Sequence, residues 1–501
     1  MHIFPKKNDF LESYKQGTPF VVWAKVSADL ETPVSVALKL KDEKYLCLFE
    51  SVEQGKNRGR YSSIVTDPDL LWKCCDSKAY VNNNPSKDIH DFHYDSDDIF
   101  ASLRSVITKS QLDIGDELPA MSSGIFGYMG YDMVRHIENI PNSNKEDINI
   151  AQSIFMRPQL VVIFDTVKDD MLVVYSTFEN IGDISIAYDN ASNKIEKFLK
   201  KLDNTLIAKE YSNEINSVYK EKNKLKVVSN TTREQYHKMV EKAKEYIYAG
   251  DIFQVVPSQR LTVDFPYDAF ALYRSLRRLN PSPYSFYLKM DDFSLVGSSP
   301  EILVRVKDKK ITVRPIAGTR KRGKNKAEDK ILAKNLLADE KELAEHLMLI
   351  DLGRNDVGRV AKIGSVKLTQ KMIIEYYSHV MHIVSNVEGE IKDDLDALDA
   401  VIAAFPVGTV SGAPKIRAME IIDELETERR SFYAGGVGYF SANGGVDTCI
   451  SLRTGLVKDN KLYIQAGGGV VADSDPEAEY QESYNKAKAL LTAAEEVATN
   501  K

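Results

Sequence analysis

Apolar side chains fall into short compact or alternating runs at residues 20–24, 45–49, 160–164 and 171–175, a pattern that predicts strands. Polar stretches such as residues 82–98 separate them. From 195 to 228 the chain is dense in Lys, Glu and Asn with little Gly or Pro, which predicts a helix followed by a linker. This places a boundary between an N-terminal segment, 1–215, and a C-terminal segment, 225–498.

A helix is expected to follow the linker. Thr231 and Glu234 have the T-x-x-E spacing of a capping box, and Gly250 stands where a glycine closes a helix. Residues 253–256 and 294–297 read as strands, and 329–352 as one long helical region. Glycine-rich strand material follows at 433–440 and 462–471. A terminal helix comes last, with Asp475 as its cap and Pro476 in its first turn. Strands and helices mix without regular βαβ alternation, so the expected class is α+β rather than doubly wound.

Composition narrows the picture by exclusion. The 501 residues are 43% hydrophobic and 28% charged, as in an ordinary globular protein. A net charge of -7 argues against a nucleic-acid scaffold. No run of about 18 apolar residues predicts a membrane span. Residues 1–10 lack an apolar signal core, and the four cysteines are too few for a disulfide framework. These features fit a cytoplasmic protein.

Two pairs of acids stand out by spacing. Glu342 and Glu345 lie three apart on an expected helix, hence on one face, and Glu479 and Glu482 repeat the pattern on the terminal helix, one turn before Lys486. Two readings fit. Glutamate favours helices, and Glu482 with Lys486 makes an ordinary surface pair. Alternatively, four carboxylates meeting from two helices would need a hard divalent cation between them, of which magnesium is the natural choice. Spacing alone does not say whether the helices meet.

Other motifs fail informatively. Residues 408–415 have the wrong glycine spacing for a phosphate loop, and Pro414 precedes Lys415. Glu345-His346 lacks the second histidine of a zinc protease helix. Neither G-x-S-x-G nor G-x-C-x-G occurs, so the chain has no nucleophile elbow of the kind a glutaminase uses.

Several longer segments carry a family resemblance: Gly297-Ser-Ser-Pro-Glu301, Pro315-Ile-Ala-Gly-Thr-Arg320, Glu345-His346 leading to Asp351-Leu-Gly-Arg-Asn-Asp356, Gly408-Thr-Val-Ser-Gly-Ala-Pro-Lys415, and Gln465-Ala-Gly-Gly-Gly469. With Leu48-Phe-Glu-Ser51 and residues 124–132 in the N-terminal segment, they stand in family order. The chain resembles the chorismate-utilising enzymes over about residues 20–495, most nearly the anthranilate synthase component I group. The resemblance implies a large β-sandwich core with flanking helices, an N-terminal regulatory domain and a C-terminal chorismate-binding domain.

It also implies roles. Magnesium would be held by Glu342, Glu345, Glu479 and Glu482 and would grip the ring carboxylate of chorismate. Glu301 would protonate the departing C4 hydroxyl, which requires burial to raise its pKa. His382, in Ser378-His-Val-Met-His382, would act in aromatisation and pyruvate loss. Arg453 and Tyr433 would bind the enolpyruvyl carboxylate. Lys486, Thr409 and the backbone of Gly467, Gly468 and Gly469 would complete the cradle, beside Ala317, Gly318 and Thr319.

Two positions choose the branch. Relatives that activate water carry lysine where this chain has Gln254, which cannot act as a general base. The 4-amino-4-deoxychorismate synthases carry lysine where this chain has Ala317. Both point to ammonia addition and pyruvate elimination, giving anthranilate, the first step of tryptophan biosynthesis; 4-amino-4-deoxychorismate synthase component I is the alternative. Ammonia would come from glutamine through a separate amidotransferase subunit. An allosteric L-tryptophan pocket would involve Ser51, Pro283 and Tyr284. Ser285, where the family usually has methionine, would weaken feedback inhibition.

Overall fold

Two long antiparallel strands, Tyr61–Cys75 and Ser153–Asp165, run side by side and are buried along most of their length. The rest of the sheet grows from this spine in two arms. One passes through Tyr45–Glu50, Tyr284–Met290, Phe293–Ser299, Thr454–Lys458, Lys461–Gly467 and Ser258–Asp264, every neighbour antiparallel. The other passes through Gly124–Met129, Gly436–Ser441, Val446–Ile450, Ile302–Lys307, Lys310–Val313 and Val380–Glu390. Trp72, Phe126, Phe155, Leu288, Leu295, Val304 and Val437 share the core between the arms. The β-sandwich implied by the resemblance is therefore present. This is a computed structural model, and it describes residues 2–15, 17–51, 59–178, 182–203, 225–377 and 380–499.

Helices close the outer face of the first arm. Phe198 of Ile184–Leu202, Leu272 and Leu276 of Ala269–Leu279, and Leu490 and Ala494 of Pro476–Thr499 join Leu48, Val162, Val296 and Ile464 in a second core. The expected linker and boundary at 215–225 fall largely within 204–224, outside the described residues. Strands from either side pair directly, Glu50 opposite Ser285 and Met129 opposite Gly436. Among the described residues no helix is long and apolar enough to cross a membrane.

Three local expectations need correcting. The capping box sits one residue later, on Thr232 and Gln235: Gln235 N donates to Thr232 Oγ1 (3.2 Å), and Thr232 N to Gln235 Oε1 (2.8 Å). Thr231 is otherwise engaged, its amide with Ser229 Oγ (3.2 Å) and its hydroxyl with Asn230 Oδ1 (3.1 Å). The helical region expected as one piece is two, Lys326–Leu336 and Glu340–Val360. Asp339 divides them because its side chain accepts from the amides of Lys341 (3.2 Å) and Glu342 (3.3 Å), starting a new helix. The strand expected over 253–256 is only Gln254–Val255, paired with Gly412–Ala413. A Cβ on Gly412 would lie 2.2 Å from the Gln254 carbonyl oxygen, so that pairing requires glycine. Gly250 does close the preceding helix, at φ +85°.

Candidate active site

Glu301 stands between the strands Phe293–Ser299 and Ile302–Lys307, and only 5% of its surface is exposed. Thr409 Oγ1, on the turn Gly408–Val410, donates to Glu301 Oε1 at 3.0 Å. Burial lifts the Glu301 carboxyl to about 8, although the Thr409 hydrogen bond, Arg453 and Lys486 all pull it down. Desolvation wins, and the group carries its proton at neutral pH. Arg453 is held at φ +48°, a left-handed conformation uncommon for a side chain of this size. Burial lowers the guanidinium's pKa, and nearby Glu301 and Tyr433 raise it.

His382 lies on Val380–Glu390, opposite Thr319 of Ile316–Lys321, where a bulge between Ala317 and Thr319 displaces Gly318. Its Nδ1 is 3.1 Å from the Gly318 carbonyl oxygen and 3.1 Å from Thr319 Oγ1. A carbonyl only accepts, so Nδ1 carries the hydrogen and Nε2 the lone pair. Burial lowers the imidazole pKa to about 4, and the ring is neutral at physiological pH. Ser378 and His379 of its motif lie outside the described residues.

The helices that carry the two pairs of acids approach each other. Glu345, on Glu340–Val360, is raised by burial and then by the charges of Glu342 and Glu482. Burial likewise raises Glu479, with Glu482 adding to it. Lys341 of the first helix ties to Asp473, ahead of the terminal helix, at 3.1 Å. Gln254 Nε2 donates to Glu345 Oε1 at 3.3 Å. Glu479 Oε2 is buried without a hydrogen-bond partner among the described residues, and so is Gln254 Oε1. An orphaned carboxylate oxygen among carboxylates is the donor chemistry a hard divalent cation would satisfy. Among the described residues, no three His, Cys, Asp or Glu side chains are grouped so that they could hold a metal together. Basic residues hold two of the four: Arg320 is 2.8 Å from Glu342, and Lys486 is 2.8 Å from Glu482. The residues fit the ion by type and by the orphaned Glu479 oxygen, with Arg320 and Lys486 as the present counter-ions.

The remaining cradle residues lie beside these acids and Gln254. Gly467 ends the strand Lys461–Gly467, where Lys486 Nζ donates to its carbonyl at 2.9 Å. A Cβ on Gly468 would sit 2.7 Å from Glu479 Oε2, and one on Gly469 would sit 2.4 Å from Gln254 Nε2. The glycine run therefore lets the chain pass close to both side chains. Tyr433 is buried beside the Gly467 backbone, and burial raises its phenol to about 12 against the pull of Arg430. On the far rim, Gly318 faces the acids: a Cβ there would lie 3.1 Å from Glu342 Oε2. Contacts thus link Glu301 with Thr409, His382 with Gly318 and Thr319, and Gln254 and the glycine run with Glu345 and Glu479.

Sequence reasoning passed over Arg320 and Ser474, whose Oγ donates to Glu479 Oε1 at 2.7 Å. It also passed over the buried pair Arg430–Glu426, 2.6 Å apart. Arg320 ended a motif and Ser474 preceded the helix cap, but neither had a spacing that tied it to an acid.

Ser51, Pro283, Tyr284 and Ser285 line a separate cleft of about 1210 Å³. Tyr284 Oη donates to Asp447 Oδ1 at 3.2 Å and accepts from Arg305 at 3.0 Å. Ser285 pairs across the strand with Glu50, whose buried carboxylate accepts from Arg277 at 2.7 and 2.8 Å. Ser285 Oγ has no hydrogen-bond partner among the described residues.

A family model described as chorismate binding enzyme matches residues 51–492. The chain is 51% identical over 489 residues to anthranilate synthase component 1 of Cereibacter sphaeroides, covering 97% of each. It is 46% identical to that of Acetivibrio thermocellus, covering 95% of each. The crystal structure of anthranilate synthase component I from Streptococcus pneumoniae TIGR4 superposes with a TM-score of 0.77 at 35% identity, covering 93% of this chain and 99% of that one. The menaquinone-specific isochorismate synthase from Escherichia coli shares the fold, with a TM-score of 0.68 at 19% identity over 97% of this chain and 98% of that one. On matches of this extent, the chain belongs to the chorismate binding enzyme family, in its anthranilate synthase component 1 group.

Proposed function

We propose that this chain is the chorismate-binding subunit of a cytoplasmic anthranilate synthase. It converts chorismate and ammonia to anthranilate, pyruvate and water, the first step of tryptophan biosynthesis. A partner amidotransferase releases the ammonia from glutamine. The observation that carries the reading is the buried Glu301, protonated at neutral pH beside Thr409 and Arg453. There it delivers its proton to the C4 hydroxyl as that group departs as water, while ammonia bonds to C2. His382, neutral with its lone pair on Nε2, then accepts the C2 proton as the ring C3–O bond breaks, and the released enolpyruvate takes up a proton at its methylene carbon to become pyruvate. Arg453 and Tyr433 hold the enolpyruvyl carboxylate, and Lys486 with the Gly467–Gly469 backbone closes on the ring.

Glu342, Glu345, Glu479 and Glu482 would hold Mg²⁺, which when bound supplies charge neutralisation and a template for the ring carboxylate. Ammonia is already nucleophilic, so Gln254 need only hydrogen-bond and orient, and it is anchored on Glu345. Ala317 offers no nucleophile, which disfavours 4-amino-4-deoxychorismate as product. L-Tryptophan binding in the cleft of Ser51, Pro283, Tyr284 and Ser285 slows the reaction, and weakly, because serine replaces an apolar wall there.

The test is anthranilate fluorescence in a reaction with chorismate, an ammonium salt and magnesium, with and without a chelator. Anthranilate that appears only with magnesium is the expected result. An aminated product that retains its pyruvyl group would overturn the assignment, and no response to millimolar tryptophan would remove the regulatory part.

A further inference from the structure

Arg430 is buried, with 1% of its side chain exposed. Its Nε is 3.0 Å from Glu426 Oε2, and its Nη2 is 2.6 Å from Glu426 Oε1. The same guanidinium donates from Nη1 to the Val410 carbonyl and from Nη2 to the Val256 carbonyl, each at 2.6 Å. Its Cζ also lies 4.8 Å from the ring centre of Tyr131 and 5.5 Å from that of Tyr433. Glu426 extends the network by accepting from Ser258 N (2.8 Å) and Ser258 Oγ (2.7 Å), opposite Gly467 in the sheet. A planar fork with fixed donors is suited to holding several acceptors in one geometry, and a lysine is not.

Each backbone acceptor belongs to a segment that carries a working residue. Val410 follows Thr409, which touches Glu301. Val256 ends the stretch that carries Gln254, and its amide donates to Ser411 O at 3.0 Å. Tyr433 N donates to Arg430 O at 3.1 Å. We infer that Arg430, clamped by Glu426, is a positioning residue that fixes Thr409, Gln254 and Tyr433 relative to one another. It acts on the acid through Thr409: its hold on Val410 sets the distance from the Thr409 hydroxyl to Glu301. The groups facing Glu301 are Thr409, Arg453 and Lys486. Of these, Thr409 is the one whose segment Arg430 binds directly.

The inference rests on the reading of Glu301 as the acid, and the test separates the two. Arg430→Lys, Thr409→Val and their combination are compared by kcat and by its pH profile in the ammonium-dependent reaction. Melting curves establish that each variant is folded. Arg430→Lys should lower kcat about 100-fold, the scale of a displaced catalytic contact. Its alkaline limb should move to higher pH, the direction Thr409→Val also gives, because the hydrogen bond favours the charged carboxylate. The double variant should shift the limb no further than Thr409→Val alone. A folded Arg430→Lys with wild-type kcat and limb overturns the inference, and so does a double shift equal to the sum of the single ones. If Arg430→Lys does not fold, Glu426→Gln, which keeps the side-chain shape, gives the same comparison. A wild-type profile without the limb overturns the acid assignment instead, and Arg430 is then judged by kcat alone.

Discussion

The candidate site has a dry end and a charged end, and both are built on glutamate. At the dry end, Glu301 is enclosed and hydrogen-bonded by one hydroxyl, and burial lifts it to about 8. At the charged end, Glu482 is held by Lys486 at 2.8 Å, and that lysine lowers its pKa. Glu345 and Glu479 lie between these extremes, raised by burial and by each other's neighbours. The same carboxyl chemistry therefore gives a proton donor at one end and a lysine-held carboxylate at the other. Solvation and charge partners divide the labour, rather than residue type. Lys486 belongs to both ends, since it pairs with Glu482 and also pulls weakly on Glu301.

The largest break in this contrast comes from Glu301→Gln, which keeps size and polarity but has no proton to give. The ammonium-dependent rate should fall about 10³-fold, with chorismate binding retained in a titration. In the wild type the acid form is the active one, so kcat should decline as pH rises past about 8. Stability carries the same sign. Between the ordinary carboxyl value of 4.5 and about 8, folded Glu301 keeps a proton that the unfolded chain has released. Stability therefore falls as pH rises through that window. Melting curves of Glu301→Gln should lack this part of the pH dependence; an unchanged dependence would mean the carboxyl is solvated and the dry end is not dry.

His382→Ala should reduce anthranilate formation about 100-fold and let the aminated, still pyruvylated species accumulate, as followed by chromatography. Since burial already holds the imidazole at about 4, the wild-type rate should stay flat from pH 6 to 7. An inflection near the usual histidine value would contradict a neutral, buried base. At the charged end, Glu345→Gln should lower the rate by about 100-fold at fixed magnesium, and a chelator should abolish wild-type activity. Equal magnesium dependence in the variant and the wild type would remove Glu345 from the proposed site.

How far the sequence foretold these two ends differs in an instructive way. The i, i+3 spacing of Glu342 with Glu345, and of Glu479 with Glu482, follows from helix geometry, so the shared faces could be read directly. Their convergence came from the family resemblance, because spacing carries no information about how distant helices pack. The start of the helix at Glu340 was hidden, since Asp339 looks like any other polar residue until its side chain caps the turn. Thr231 and Thr232 both satisfy the capping pattern, and only the prior engagement of Thr231 by its neighbours decides between them. The strand expected to reach residue 471 stops at Gly467, where the next two glycines turn past Glu479 and Gln254. Arg320 meets Glu342 only through the tertiary fold, and the short-range pairs Arg430–Glu426 and Ser474–Glu479 gain their meaning from what else those side chains touch.

The finest adjustment of the comparison lies in Ser474. Its hydroxyl holds Glu479 Oε1 at 2.7 Å, leaving Oε2 as the buried oxygen without a partner among the described residues. That hydrogen bond favours the ionised carboxylate, opposing the burial that raises its pKa. Ser474→Ala removes it without touching the acid end. Apparent magnesium affinity should weaken about 10-fold, the lower range for a group supporting a metal ligand, while kcat at saturating magnesium and the alkaline limb near 8 both stay in place. The weakening should be greater at lower pH, where Glu479 would now be more readily protonated. Magnesium titrations of the rate at two pH values measure both effects. If instead the alkaline limb moved, the two ends would be coupled through more than Lys486, and the division of the site into a dry and a charged half would have to be given up.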